Sequence, residues 1–281
     1  MANEAEPASR RTDRHGNRSN SATDGTASHQ GTCSCFDQRR ASNRRRVSFH
    51  HERQDTSSPA WQHLLALIEE AAADGREVFR PLMEMSPEDR RQIVTLPPSI
   101  AKLTAVKQFT LYGSNLVRIP AEIGAMSSLQ EFTPYTSYRL HWFPYELTRC
   151  PNLKRSTVST RALYGNEKLR PPFPLLQPAG TVATGLGLGH GGTDPGTWGS
   201  ATIHKCSVCD RSLEGTGIHQ AWISLRVATD VLPLLVNACS TSCLQALPEP
   251  PEGHLRHPHS GGPGLAQPTA RATWTPCSRT L

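Results

Sequence analysis

Two pairs of cysteines are the residues of this chain whose types and spacing best fit a chemical role. Two residues separate Cys206 from Cys209, and three residues separate Cys239 from Cys243. Four thiolates complete the tetrahedron that Zn²⁺ prefers, so the pairs predict a structural zinc site with all four cysteines as ligands. Such a closed site has no open coordination position, which favours stabilisation over catalysis. Unliganded structural thiols are the alternative, because the second pair departs from the commoner two-residue spacing.

The segments around these cysteines predict the module, residues 203–247, that would position them. Residues 217–228 and 233–238 are apolar runs that can pair as strands, and residues 239–247 can open a helix whose N-terminus favours thiolate charge. A knuckle, a hairpin and a helix in this order resemble treble-clef zinc modules, which implies a small α+β unit. His204 and His219 lie nearby in sequence, but a lone histidine is more often a polar surface residue, so neither is assigned to the metal.

A repeat occupies the middle of the chain. Its three units open at Leu96-Pro97, Ile119-Pro120 and Phe143-Pro144, spaced by 23 and 24 residues. A unit of this length cannot bury its own apolar face, so the units are expected to stack into a solenoid. Ordinary amphipathic helices are the alternative. The recurring apolar positions are Leu96, Ile100, Leu103, Val106, Phe109, Leu111 and Leu116; then Ile119, Ile123, Met126, Leu129, Phe132 and Leu140; then Phe143, Leu147, Cys150, Leu153, Val158 and Leu163.

This pattern resembles the leucine-rich repeat family, in its short bacterial-type class with units of about 23 residues. The resemblance covers roughly residues 93–165 and implies one short parallel strand in each unit. The family's Asn is replaced by Ser114, Ser137 and Arg161. Pro134 and Ser156 stand at strand positions that should be apolar, so the third unit is the least regular.

The resemblance also implies that alternate strand residues face outward and form ladders across the units. Tyrosines beside a polar ladder are typical of a protein-binding face, because Tyr gives contact area at low entropic cost. Alternatively, the threonines merely suit a strand and the tyrosines have no role. The predicted partner-binding residues are Gln108, Glu131 and Arg155 in one ladder, Thr110, Thr133 and Thr157 in a second, and Tyr112 and Tyr135, followed by Ser159, in a third.

The composition of the rest of the chain indicates where folded segments and segments without a core lie. Hydrophobic content of 36% with 21 Gly and 23 Pro indicates folded modules joined by segments without a core. A helical stripe with Ser58 as N-cap and Gly75 as its stop predicts a cap on the repeat. The predicted organisation is a disordered Arg/Ser-rich tail (1–58), a helical cap (59–92), the leucine-rich repeat domain (93–175), a Gly/Pro-rich linker (176–202), the four-cysteine zinc module (203–247) and a disordered tail (248–281).

The sequence thus predicts an α/β protein: a short leucine-rich repeat solenoid with an N-terminal helical cap, a small zinc-stabilised α+β module and disordered termini. We expect a non-enzymatic protein–protein interaction protein, located in the cytoplasm because no signal segment or membrane span is evident. Its partner is an unknown protein, and no small-molecule substrate is evident. The alternative is a nucleic-acid-binding protein that uses the zinc module and the basic N-terminal tail, in a chain of net charge +6.

Overall fold

The computed structural model describes residues 50, 52–158, 164–168, 170–176, 203–213, 218–256 and 258–269. The predictions for the N-terminal tail, apart from residues 50 and 52–58, and for the linker after Leu176 fall outside this part, as do those for Ser159 and Arg161. The described chain is a mixed α/β structure that contains a parallel four-stranded sheet and a mixed three-stranded sheet. None of its described helices is long and apolar enough to cross a membrane.

Helix α1 (Pro59–Asp74) and helix α2 (Pro87–Gln92) precede the repeat. The Ser58 hydroxyl accepts a hydrogen bond from the Trp61 N–H, and Gly75 ends α1 at a φ of 66°, a conformation that suits glycine. These two capping predictions are confirmed. Between the helices lies a strand that the sequence analysis missed, β1 (Val78–Phe79), which pairs with the first strand of the repeat.

The parallel sheet joins β1 to β2 (Gln108–Thr110), β3 (Glu131–Thr133) and β5 (Arg155–Ser156), in that order. A buried phenylalanine occupies the same register position in the first three strands, and the ring centroids of Phe79 and Phe109 lie 5.8 Å apart. Short 3₁₀ helices follow the Pro-containing dipeptides, at Pro98–Lys102, Ala121–Ala125 and Tyr145–Arg149, and pack on one another. Each repeated segment therefore supplies one 3₁₀ helix and one strand.

Serines occupy two of the positions where the repeat departs from the leucine-rich repeat pattern that it resembles. The Ser137 hydroxyl donates to the carbonyl of Leu111 at 3.1 Å, and its oxygen lies 2.6 Å from the Ser114 hydroxyl. A hydroxyl has one proton, so Ser114 is the donor of this second bond. Both serines are buried. The substitution therefore keeps a hydrogen bond between neighbouring turns.

The mixed sheet connects the repeat to the cysteine-bearing segment. Strand β4 (Phe143–Pro144) pairs in parallel with β7 (Asp230–Ala238), which pairs antiparallel with β6 (His219–Val227). Apolar side chains of this hairpin belong to the same core cluster as those of the repeat. The repeat and the module of residues 203–247 are consequently packed together rather than only tethered.

In the tail predicted to be disordered, residues 248–256 and 258–269 belong to the described part of the chain and make defined contacts, whereas residues 257 and 270–281 lie outside it. Leu255 is buried in a second cluster with Trp222 and Phe173, and the backbone N–H of Trp222 donates to the His259 carbonyl at 2.9 Å. A Cβ at Gly261 would lie 2.3 Å from the Pro174 carbonyl oxygen, so this glycine allows the two segments to approach. Composition alone did not reveal this order, because the aromatic partners come from distant parts of the chain.

Candidate metal centre and exposed strand face

The four predicted cysteine ligands lie together. The Sγ atoms of Cys206, Cys209, Cys239 and Cys243 are all within 4.8 Å of one another. The Sγ of Cys239 is 3.5 Å from that of Cys209 and 3.6 Å from that of Cys243. Sulfurs bound to a tetrahedral zinc ion at about 2.3 Å lie about 3.8 Å apart. The cluster thus has dimensions that suit a metal ion, whose identity stays a prediction.

A tight turn supplies the first pair of sulfurs. The N–H of Cys206 donates to the Arg211 carbonyl at 2.8 Å, and the N–H of Asp210 donates back to the Cys206 carbonyl at 3.1 Å. Asp210 has a φ of 64°, which Asp tolerates better than most residues. The turn directs the N–H groups of Val208 and Cys209 at the Cys206 Sγ, at 3.4 and 3.5 Å. Backbone donors therefore stabilise a thiolate here.

The end of β7 and the start of α3 (Thr241–Gln245) supply the second pair. Cys239 follows the last residue of the strand, and its N–H donates to the Cys206 Sγ at 3.4 Å. Ser240 is the N-cap of α3, because its hydroxyl accepts from the Cys243 N–H at 3.2 Å. This cap explains how a three-residue spacing still brings both sulfurs to one point: the chain turns into a helix between them.

The cysteines differ in acidity. Burial acts to raise the pKa of Cys206, but the N–H donors of Cys209, Val208 and Cys239 outweigh it and hold that pKa at about 7. Hydrogen bonds with Cys209 and Cys243 raise the pKa of Cys239 to about 12. A bound cation would favour the deprotonated form of every thiol it touches. The four thiols are therefore suited to hold a thiophilic metal ion.

The repeat also positions the first cysteine turn, through a residue that the sequence analysis did not select. The Arg149 guanidinium donates to Asp210 Oδ1 at 2.8 Å, to the Ser207 carbonyl at 2.7 Å and to the Cys206 carbonyl at 3.2 Å. The Ser207 hydroxyl accepts from the N–H of Asn237 in β7 at 2.9 Å. No local signal marks Arg149, because its acceptors lie far along the chain.

The other candidate ligands lie outside the cluster. Neither His204 nor His219 belongs to the metal-sized group that the described residues form. Cys150, at an apolar position of the third unit, is buried, and its thiol donates to the Ile123 carbonyl at 3.3 Å. Burial raises the pKa of Cys150 to about 11, so it is a packed thiol.

Five of the predicted partner-binding residues lie in register on the strands, and the other three follow the strand ends. Gln108 pairs with Glu131, which pairs with Arg155, and Thr110 pairs with Thr133. Thr157 follows β5, where its N–H donates to the Phe132 carbonyl at 3.0 Å. The rings of Tyr112 and Tyr135 stack with centroids 5.7 Å apart, and these side chains are 52% and 41% exposed. We call these eight residues the strand face.

Comparison with known proteins assigns neither a family nor a function to this chain. No protein-family model matches the chain, and no curated protein matches its sequence. A function must therefore be argued from the cysteine cluster, the strand face and their surroundings.

Proposed function

We propose that this protein is a non-enzymatic, cytoplasmic interaction protein. A short leucine-rich repeat solenoid would bind a protein partner through the strand face, and a structural zinc ion would stabilise the adjoining four-cysteine module. The observation that carries the proposal is the exposed, stacked pair of Tyr112 and Tyr135 beside polar ladders. Two neighbouring aromatic rings left in water are apolar area that a partner would cover.

The tyrosines have the properties of residues that contribute most to protein interfaces. Tyrosine is enriched in the cores of interfaces, where its ring is buried and its hydroxyl retains a hydrogen bond. Their stacking restricts both rings before binding, which lowers the entropic cost of ordering them. The flanking Thr110, Thr133 and Glu131 offer hydroxyl and carboxylate groups for a polar rim.

Several observations support the leucine-rich repeat interpretation. The second residue of β2 and of β3 is a phenylalanine, Phe109 and Phe132, and both are fully buried. The repeated 3₁₀ helices stack on one side of parallel strands whose register follows the repeat. The hydrogen bond between Ser114 and Ser137 connects neighbouring turns, which is the role of the Asn in the leucine-rich repeat pattern.

Zinc is the metal that best fits the donor set. A cluster of four thiolates selects soft or borderline ions, and a tetrahedral sulfur site favours zinc or iron. Zinc needs no redox partner, and four sulfurs leave it no position for substrate. In this proposal Cys206, Cys209, Cys239 and Cys243 hold the ion, and its contribution is stability.

Site-specific photo-crosslinking tests the partner-binding surface. A benzophenone side chain would be placed in the full-length protein at Thr133 on the strand face, with Glu69 on α1 as the control position. We expect the Thr133 position, but not the Glu69 position, to form an adduct with one discrete protein. We also expect this adduct to be lost in the double variant Tyr112→Ala/Tyr135→Ala. Equal adducts from both positions, or adducts that persist in the double variant, would contradict the proposal.

The same protein preparation tests the nucleic-acid alternative. Anisotropy with labelled random DNA and RNA would be measured at low and moderate salt, since phosphate contacts give strongly salt-dependent binding. Absence of binding at low salt agrees with the proposed function. Salt-sensitive binding that is lost when the cysteines are replaced would favour the alternative.

A further inference from the structure

A cavity of about 540 Å³ lies between the repeat and the cysteine-bearing module. Its volume falls within the range of small-molecule sites. The 3₁₀ helices of the second and third units form one wall, and strands β6 and β7 with the first cysteine turn form another. Apolar groups cover much of the lining: Ile119, Pro120, Trp142, Pro144 and Leu235.

The third unit contributes a buried carboxyl group to this cavity. Glu146 is only 4% exposed, and its Oε2 atom has no hydrogen-bond partner. Burial raises the pKa of this carboxyl, and a hydrogen bond from Ser207 opposes the rise. A buried carboxylate oxygen without a donor is unfavourable, so the atom is suited to a donor that arrives with a ligand.

The second unit contributes a guanidinium group. Arg118 lines the cavity, and within the described residues its guanidinium makes no hydrogen bond or ion pair. Burial lowers the pKa of Arg118 to about 10, with the charge of Glu122 opposing this only in part. Arg149 lines the same cavity but already donates to Asp210, Cys206 and Ser207. Arg118 is therefore a half-buried cation available for an acidic ligand group, whereas Lys205, the other basic side chain of the lining without an ion pair among the described residues, is exposed.

Three small residues of the second unit also line the cavity. Ala121, Gly124 and Ala125 are lining residues of one 3₁₀ helix. A Cβ at Gly124 would lie 2.7 Å from the Glu146 carbonyl oxygen, so a larger residue would displace the helix that carries Glu146. Gly124 thus allows the close approach of the two 3₁₀ helices that form this wall.

We propose that this cavity binds a small aminocarboxylate, such as an amino acid with an apolar side chain. Its ammonium group would pair with Glu146, its carboxylate with Arg118, and its side chain would contact Ile119, Trp142 and Leu235. An anion alone would leave Glu146 without a donor, and an amine alone would leave Arg118 without an acceptor. Only a ligand with both groups completes the site.

Calorimetric titration and thermal-shift measurements on the full-length, metal-loaded protein test this proposal. The probes are L-leucine, L-phenylalanine and L-tryptophan, with tryptamine and indole-3-propionate as analogues that lack the carboxylate and the ammonium group. We expect saturable binding and a raised Tm for at least one amino acid. If tryptophan binds, each analogue should bind about 10-fold more weakly or worse, since each loses a charged hydrogen bond.

Glu146→Gln and Arg118→Gln should each weaken that binding about 10-fold or more. The matched controls Glu84→Gln and Arg80→Gln, at exposed positions outside the cavity and outside the strand face, should leave it unchanged. The proposal is overturned if none of the three amino acids binds saturably. It is also overturned if tryptophan and both analogues bind with equal affinity, or if the control variants weaken binding as much as Glu146→Gln and Arg118→Gln do. If Glu146→Gln fails to fold, Arg118→Gln and the analogues still decide the outcome.

Discussion

Cys206 shows how a single side chain can depend on its whole surroundings. It is the buried member of the four-cysteine cluster, and three backbone N–H groups point at its sulfur. Arg149 of the repeat fixes the carbonyls of Cys206 and Ser207. Replacing this sulfur removes a predicted metal ligand from the centre of a network that joins two modules.

Cys206→Ser should therefore lose its metal and much of its stability. We expect one zinc ion per chain in the wild type by elemental analysis, and none in the variant, with a loss of more than about 3 kcal/mol in the free energy of unfolding. Cys33→Ser, which removes a cysteine from the predicted N-terminal tail, is the control and should change neither value. Full metal content in Cys206→Ser would show that this residue is not a ligand.

Ser156 is a second residue whose role is clear only in the folded chain. Its hydroxyl lies 2.7 Å from Asp230 Oδ2 and 3.2 Å from the Val227 carbonyl, at the turn between β6 and β7. The Thr229 hydroxyl donates to the Ser156 carbonyl at 2.7 Å. The hairpin that covers Ser156 thus supplies hydrogen-bond partners for a polar residue at an apolar position of the repeat.

Ser156→Ala should destabilise the protein, because it removes the buried hydroxyl that bonds the Val227 carbonyl and the Asp230 carboxylate. We expect a loss of about 1–2 kcal/mol in the free energy of unfolding, measured in urea. Thr157→Ala, one residue further and exposed, should cost less than about 0.5 kcal/mol. Comparable losses in the two variants would mean that the hairpin contact contributes little.

At the scale of elements, strand β3 and the residues just after it separate buried side chains from exposed ones. Phe132 is fully buried between Phe109 and Phe143, whereas Tyr135, just beyond the strand, is exposed. Side chains that point inward hold the parallel sheet on the stacked 3₁₀ helices. Side chains that point outward do not contribute to this core.

Phe132→Ala should cost about 3–5 kcal/mol of stability through the cavity that it leaves. Tyr135→Ala should cost less than about 1 kcal/mol but should abolish the photo-crosslink from Thr133. Urea unfolding and crosslinking yield, measured on both variants, check this division. A large stability loss in Tyr135→Ala would assign that ring to the fold instead of to a partner surface.

At the scale of the whole molecule, the repeat and the cysteine module share one core. Phe143 of β4 pairs with Leu234 of β7, and the hairpin buries Ile223 and Leu232 against the repeat. The second cluster, around Trp222, adds residues from both sides of the undescribed linker and from the segment after Pro248. Loss of the module would therefore uncover apolar surface on the repeat.

Metal removal should consequently unfold more than the cysteine module. We expect a chelator to lower the Tm of the full-length protein and to increase amide hydrogen exchange at Phe143 and Leu147 as well as around Cys239. Hydrogen exchange read by mass spectrometry, with zinc added back as the control, checks this. Increased exchange confined to residues 203–247 would show that the repeat is stable by itself.

The sequence by itself determined the features that depend on local spacing. Cysteines separated by two or three residues can share an ion. Ser58 and Gly75 mark the two ends of a helix. The repeated dipeptides set the register of Gln108 against Glu131. These outcomes follow from backbone geometry over a few residues or from a fixed period. They needed no knowledge of distant contacts.

Only the tertiary structure decided what depends on residues far apart in the chain. Arg149 reaches the first cysteine turn, Ser156 meets the β6–β7 turn, and Arg118, Glu146 and Leu235 line one cavity. Such contacts form because apolar surfaces left open by the repeat and by the hairpin are buried against each other. No local pattern encodes which two surfaces meet, since burial is non-directional and the partner is chosen by the whole fold.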